Sequence, residues 1–198
     1  MNIAIRKPAA APMTLEQFLT WEERQELRYE FDGIRPIAMV GGTIAHSTIQ
    51  ANLLIALGNR LRGAPCRPHG SHMKIKVAGR IRYSDAFVVC TKLPPRAKVV
   101  TDPVVVFEVT SDSSFTTDLI HKNADYKATP SIQRYVIIEQ ASVAAWVFFR
   151  KGEDWVSDSA IGGDAMLPMP EIGIEVPLAE IYAGLDFGTG DGAQADEA

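Results

Sequence analysis

Two acidic residues stand inside apolar, strand-like runs: Asp85 in IRYSDAFVV and Glu108 in VVVFEV. A lone carboxylate buried in such a run is so costly that it normally turns neutral, pairs with a cation or binds a metal. If the two strands are sheet neighbours, their carboxylates can lie on one face, where a shared hard cation such as Mg2+ or Mn2+ satisfies both. Alternatively each acid pairs with its own Arg or Lys, and the spacing by itself leaves both readings open.

Further groups gather around the pair. Lys122 and Tyr126 fall one helical turn apart in a stretch with helical character from Thr117 to Ala128, and Asp118 falls one turn before Lys122. All three therefore share a face. An ammonium aimed at such acids stabilises charge developing on a phosphate or positions an attacking water. A surface pair between Asp118 and Lys122 explains the same spacing. Glu30, beside Asp32-Gly33, and His46, at a helix start, are weaker candidates, because a hairpin acid is usually solvated and such a histidine usually caps or packs. His69 and His72 lack the spacing of a zinc site.

The elements that must position these residues follow from periodicity and breakers. Thr14 and Gln17 have the spacing of a capping box at the start of a short helix. Tyr29-Glu30-Phe31 and Ile37 to Val40 flank Asp32-Gly33 and predict a hairpin. Ile49, Leu53, Leu54, Leu57 and Leu61 recur at helical spacing, so the main amphipathic helix runs from His46 to Leu61 and stops at Gly63-Ala64-Pro65. Strands are expected at Met73 to Val77, Ile81 to Cys90, Val104 to Val109 and Arg134 to Ile138, and a hairpin from Ala144 to Ala160 turning at Lys151-Gly152. The run Val104-Val105-Val106-Phe107 is apolar on both alternations, which marks a central strand covered on both sides. Helix, strands, crossover helix and more strands predict an α/β fold: a mixed β-sheet flanked by α-helices, with additional β-hairpins.

With 198 residues and a hydrophobic share of 46%, the chain suits one domain with one core. The expected organisation is a flexible lead-in over 1–13, a single domain over 14–187 and a disordered tail over 188–198. A net charge of −4 argues against holding nucleic acid by bulk electrostatics. Locally, Arg60, Arg62, Arg67, Lys74, Lys76, Arg80 and Arg82 form a basic stretch that either faces phosphates or is a solvated surface. Cys66 and Cys90 are too few for a disulfide framework or zinc ribbon and read as reduced core thiols. No run is apolar enough for a membrane span or a signal-peptide core, so the cytoplasm is expected.

In order along the chain, RYEFDG at 28–33, His46, RYSDAFVV at 82–89, VVVFEVTSDSS at 104–114, DLIHKNADY at 118–126 and RYVIIE at 134–139 resemble the Uma-type restriction endonuclease family. The resemblance spans roughly residues 14–150 and implies a restriction-endonuclease-like fold with a PD-(D/E)XK site. It places the family's aspartate at Asp85, its glutamate at Glu108, its early glutamate at Glu30 and its helix-start histidine at His46. The lysine of the pattern, absent at Thr110, falls on Lys122. Ser84 replaces the expected proline, Ser111-Asp112-Ser113-Ser114 the usual Ser-Pro-Ser-Thr, and Glu139 an aspartate. The implied activity is metal-dependent cutting of DNA, with Asp85, Glu108 and the Val109 carbonyl holding Mg2+ or Mn2+ and Glu30 aiding a second metal or the water network. A non-catalytic nucleic-acid or protein binding module that kept the fold is the alternative. A homodimer is the expected assembly, since two-fold pairs are the commonest oligomers.

Overall fold

The computed structural model describes residues 11–39, 41–110 and 122–187. The tail at 188–198, most of the lead-in at 1–13, Asp118 and the Ser111-Asp112-Ser113-Ser114 segment lie outside the described residues.

Helix α1 (Leu15–Glu22) opens on Thr14, whose hydroxyl accepts from the Gln17 amide while the Gln17 side chain accepts from the Thr14 amide, the expected capping box. Strands β1 (Tyr29–Phe31) and β2 (Pro36–Ala38) pair antiparallel around a turn in which Gly33 has φ 98°. Asp32 fixes that turn by accepting from the amides of Ile34 and Arg35, each at 2.8 Å. Helix α2 (Ile44–Arg60) begins at Thr43, whose hydroxyl accepts from the His46 amide at 3.1 Å, and buries Ile49, Leu53, Ala56 and Leu57 along one stripe.

Strands β3 (Arg67–Gly70), β4 (Lys74–Val77), β5 (Arg80–Arg82), β6 (Ala86–Val89), β7 (Val99–Val100) and β8 (Val105–Val109) follow. The expected strand from Ile81 to Cys90 is two strands, β5 and β6, in different sheets. The chain changes sheet at Ser84-Asp85, between the pairing of β5 with β4 and that of β6 with β8. Helix α3 (Asn123–Lys127) falls within the expected stretch from Thr117 to Ala128, of which residues 117–121 lie outside the described residues. It leads to β9 (Arg134–Ile138), which lies parallel to β8, and then to the hairpin β10 (Ala144–Lys151) and β11 (Asp154–Ile161). A last hairpin, β12 (Met166–Met169) with β13 (Ile174–Pro177), precedes α4 (Leu178–Ile181).

Six strands in the order β11-β10-β9-β8-β6-β3 form the main sheet, and β2-β1-β5-β4-β7 a second one. All five residues of β8 are buried, as expected of a central strand. Its odd positions, Val105, Phe107 and Val109, pack with the buried stripe of α2 and with Val176, Leu178 and Ile181. Val106, on the other face, packs with Phe87, Ile75 of β4 and Tyr126 of α3. Burying each such side chain contributes roughly 1.5–3 kcal/mol, so this two-sided core holds the strand that carries Glu108 rigidly.

Cys66 and Cys90 form a disulfide, contrary to the expected free thiols. The antiparallel register pairs Arg67 with Val89, and one step outward it sets the two cysteines opposite each other. Twenty-four residues of sequence separation concealed a direct cross-strand pair. Among the described residues no helix is long and apolar enough to cross a membrane.

Candidate active site

The register of β6 with β8 pairs Ala86 with Phe107. One step further along the same ladder, Asp85 stands opposite Glu108, so both acids lie at one end of a strand pair in the middle of the main sheet. Glu108 shares the alternation of Val106 and therefore faces the second sheet and α3. Its Oε1 accepts from the Tyr126 hydroxyl at 2.6 Å and lies 3.1 Å from the Lys122 ammonium. The expected face shared by Lys122 and Tyr126 thus meets the buried acid; its third member, Asp118, is outside the described residues. Burial, reinforced by the Glu108 charge, pushes the Tyr126 phenol well above its usual range, so it remains a proton donor to that carboxylate.

Asp85 is held from other directions. Its Oδ2 accepts from the Val109 amide at 2.7 Å and lies 3.2 Å from Nε2 of His46. The Gln50 side-chain amide donates to the Asp85 carbonyl at 2.9 Å and to Oδ1 at 3.2 Å. His46 and Gln50 are one turn apart on α2, so the helix presents two polar groups to one acid. Gly42 permits this close approach, since a Cβ there would stand 3.0 Å from the His46 ring.

Glu30 is buried at 8% exposure, whereas a hairpin acid was expected to be solvated. Its Oε1 accepts from the Tyr83 amide at 3.0 Å and lies 3.7 Å from Lys122, while its Oε2 takes Arg82 at 3.1 Å. Arg82 also donates to Asp125 Oδ2 from Nη2 at 2.6 Å and from Nε at 3.1 Å, and Arg80 pairs with the other Asp125 oxygen. Burial opposes the Arg82 charge, but Glu30 and Asp125 outweigh it and raise the guanidinium pKa. A chain of alternating charges, Glu108, Lys122, Glu30, Arg82 and Asp125, therefore runs between the two sheets. Gln50, Arg82 in this role, and Asp125 were missed in the sequence. The four-residue interval from His46 to Gln50 was the legible signal for the first; nothing local marks Asp125 as the partner of β5.

Five of the seven cations in the basic stretch have partners within the chain. Arg82 is buried, Arg80 turns to Asp125 and Lys74 to Glu22. Arg67 donates to the carbonyls of Leu61, Ala64 and Cys66, and Arg60 grips Glu180 with two bonds at 3.0 and 2.6 Å. The acids between the sheets and on α1 and α4 outcompete water for these cations. Arg62 and Lys76 stay exposed.

Two carboxylates from opposed positions of one strand pair offer oxygen donors, which suit Mg2+ or Mn2+ better than a thiophilic metal. Neither acid is locked against a guanidinium in the described ion pairs: Glu108 has an ammonium and a phenol, Asp85 an imidazole, an amide side chain and a main-chain N–H. Among the described residues no group of three His, Cys, Asp or Glu side chains could hold a metal. That is compatible with Mg2+, which usually keeps several waters and takes one or two carboxylates.

Three similarities bear on this arrangement. The model of the family described as "Uma2: Putative restriction endonuclease" matches residues 15–179. An uncharacterized protein from Synechocystis sp. (strain ATCC 27184 / PCC 6803 / Kazusa) is 30% identical over 176 residues, covering 87% of this chain and 92% of that protein. The crystal structure of a "putative nuclease belonging to DUF820" from Anabaena variabilis superposes with a TM-score of 0.73 at 16% identity, over 87% of this chain and 98% of the other.

Proposed function

The chain belongs to the Uma2 restriction endonuclease family, and from that premise we propose that it is a metal-dependent endonuclease that hydrolyses DNA phosphodiester bonds. Family and fold support a nuclease in general; the finer reading is carried by one observation, the opposition of Asp85 and Glu108 with the Lys122 ammonium 3.1 Å from Glu108.

In this reading Asp85, Glu108 and the Val109 carbonyl would hold Mg2+ or Mn2+, and the bound ion supplies Lewis acidity and charge neutralisation at the scissile phosphate. The chain's own residues do the remaining work. Lys122 orients the attacking water and stabilises charge developing on the phosphate. Glu30 holds that ammonium from its other side, with Arg82 fixing Glu30 in turn. Tyr126 keeps Glu108 in one rotamer, while His46, Gln50 and the Val109 amide do the same for Asp85. Such supporting partners typically matter 10- to 100-fold in metal affinity or activity.

The test is cutting of plasmid and of single-stranded DNA by the purified chain with Mg2+ or Mn2+, alongside calorimetric titration of each ion. Asp85→Asn and Glu108→Gln are expected to abolish both cutting and ion binding, and Lys122→Met to lower the cutting rate by about 100-fold or more while leaving ion binding in place. Cutting that persists unchanged in the two carboxylate variants would refute the assignment. Absence of ion binding and of cutting in the native chain would favour the non-catalytic module.

A further inference from the structure

Beside Asp85 the surface opens into a cleft of about 530 Å3, lined among others by Leu27, Arg28, Met39, His46, Gln50 and Asp85. Small-ligand clefts span roughly 300–1,000 Å3, so this one has room for a nucleotide but not for a turn of duplex. It meets the candidate centre on the Asp85 side, since Asp85 and His46 both line it. A strand entering the cleft would bring the neighbouring phosphate to that centre.

The lining has the mixed chemistry of a nucleotide seat. Arg28 is exposed at the rim, with one Nη1 bond to the Ser71 carbonyl at 3.2 Å that fixes the guanidinium while leaving donors for a phosphate oxygen. Leu27, 57% exposed, and Met39 offer apolar surface to the face of a base. Ser47 and Gln50 also line the cleft; the Ser47 hydroxyl and the Gln50 side-chain oxygen can meet polar base edges or sugar, while the Gln50 nitrogen donates to Asp85. Glu26 shares the lining, and its negative charge suits one phosphate held on Arg28 better than a row of phosphates.

Two further observations oppose a duplex. The candidate acids are recessed, with side-chain exposures of 14% for Asp85 and 4% for Glu108. A duplex carries one negative charge about every 1.7 Å along its axis and is normally held by several free Lys and Arg. Here the net charge is −4, and Arg60, Arg67, Lys74, Arg80 and Arg82 are engaged within the chain.

We infer that the substrate is an unpaired strand, with one nucleotide seated in this cleft and its phosphate on Arg28. The inference rests on the nuclease reading for what happens at Asp85, but its binding half stands on the cleft alone.

The experiment uses the full chain and end-labelled oligonucleotides of one sequence, single-stranded or duplex, with fluorescence anisotropy as the readout. Ca2+ replaces Mg2+, and a parallel series contains chelator, so that binding is read without cutting; DNA and RNA versions of the strand identify the sugar. The single strand is expected to bind at least tenfold more tightly than the duplex. Its affinity should fall with salt at a slope of roughly −0.7 to −1.4, the signature of one or two phosphates. Arg28→Ala should weaken it about tenfold, with partial recovery in Arg28→Lys. Duplex binding as tight as single-strand binding, no binding of either, or indifference to Arg28→Ala would each overturn the inference. Mn2+-dependent cutting of duplex that needs Asp85 but shows no strand preference would remove this inference and leave the nuclease reading standing. Arg28-dependent strand binding without cutting would do the reverse.

Discussion

Asp125 is 2% exposed and carries Arg80 on one carboxylate oxygen and Arg82 on the other. Replacing it with alanine strips both guanidinium groups of that partner, but the two losses are unequal. Arg80 is 39% exposed and can turn into water, which limits its share to the scale of a surface pair, about 0–1 kcal/mol. Arg82 is 4% exposed and keeps only Glu30, at 3.1 Å, among its described acidic partners. Removing one partner of a buried pair costs about 3–5 kcal/mol where the remaining charge is left without compensation, and Glu30 still offsets part of the Arg82 charge. Asp125→Ala should therefore destabilise the protein by about 3 kcal/mol, the lower end of that range, and Arg80→Ala by less than about 1 kcal/mol. Urea unfolding followed by tryptophan fluorescence reads both as shifts of midpoint at constant slope. A cycle of Asp125→Ala with Arg82→Met should show a coupling of about 1–3 kcal/mol, since the two groups touch. Equal costs for Asp125→Ala and Arg80→Ala would refute the claim that burial decides which pair matters.

Arg60→Ala, by contrast, breaks a pair whose side chains are 30% and 36% exposed, and should shift the unfolding midpoint by no more than about 1 kcal/mol equivalent, fading in high salt. Reducing Cys66–Cys90 releases a closure of 24 residues and should cost about 3 kcal/mol on the chain-entropy account, read by comparing urea midpoints with and without reductant. Burial raises the phenols of Tyr83, Tyr126 and Tyr182 above their ordinary value. Since the folded pKa exceeds the unfolded one, their contribution is fully present below about pH 10 and declines as pH rises, because unfolding then releases protons. The alkaline decline should reach about 1.4 kcal/mol per pH unit for each group, and Tyr126→Phe should make it shallower. Unchanged alkaline stability in Tyr126→Phe would show that this phenol ionises as freely in the folded chain as in water.

Much of the candidate site could be read from local pattern. Asp85 and Glu108 announced themselves as charges within apolar runs, and the four-residue interval from Lys122 to Tyr126 placed both on one helical face. The hairpin at Asp32-Gly33 and the capping box at Thr14 followed from turn and cap chemistry, which acts over three or four residues. What local pattern misread or left open were the long-range matters: Ile81 to Cys90 read as one strand, the cysteines read as free thiols, and the partners of the basic stretch. Each depended on a partner distant in sequence, such as Asp125 for Arg80 and Arg82 or Cys90 for Cys66.

By itself, then, the amino-acid sequence determined the apolar stripes of the core, the cap that opens α1, and that two acids, Asp85 and Glu108, interrupt apolar strand-like runs and need a counter-charge. Hydrophobic period and capping are properties of neighbouring residues, so no tertiary information is required to state them. Only the tertiary structure decided which cation meets which acid. Lys122 goes to Glu108 and Glu30, and Arg82 to Glu30 and Asp125, because strand register and the docking of α3 bring them within a few ångströms. Charge pairing falls off with distance and depends on burial, and neither quantity exists until the sheets have formed.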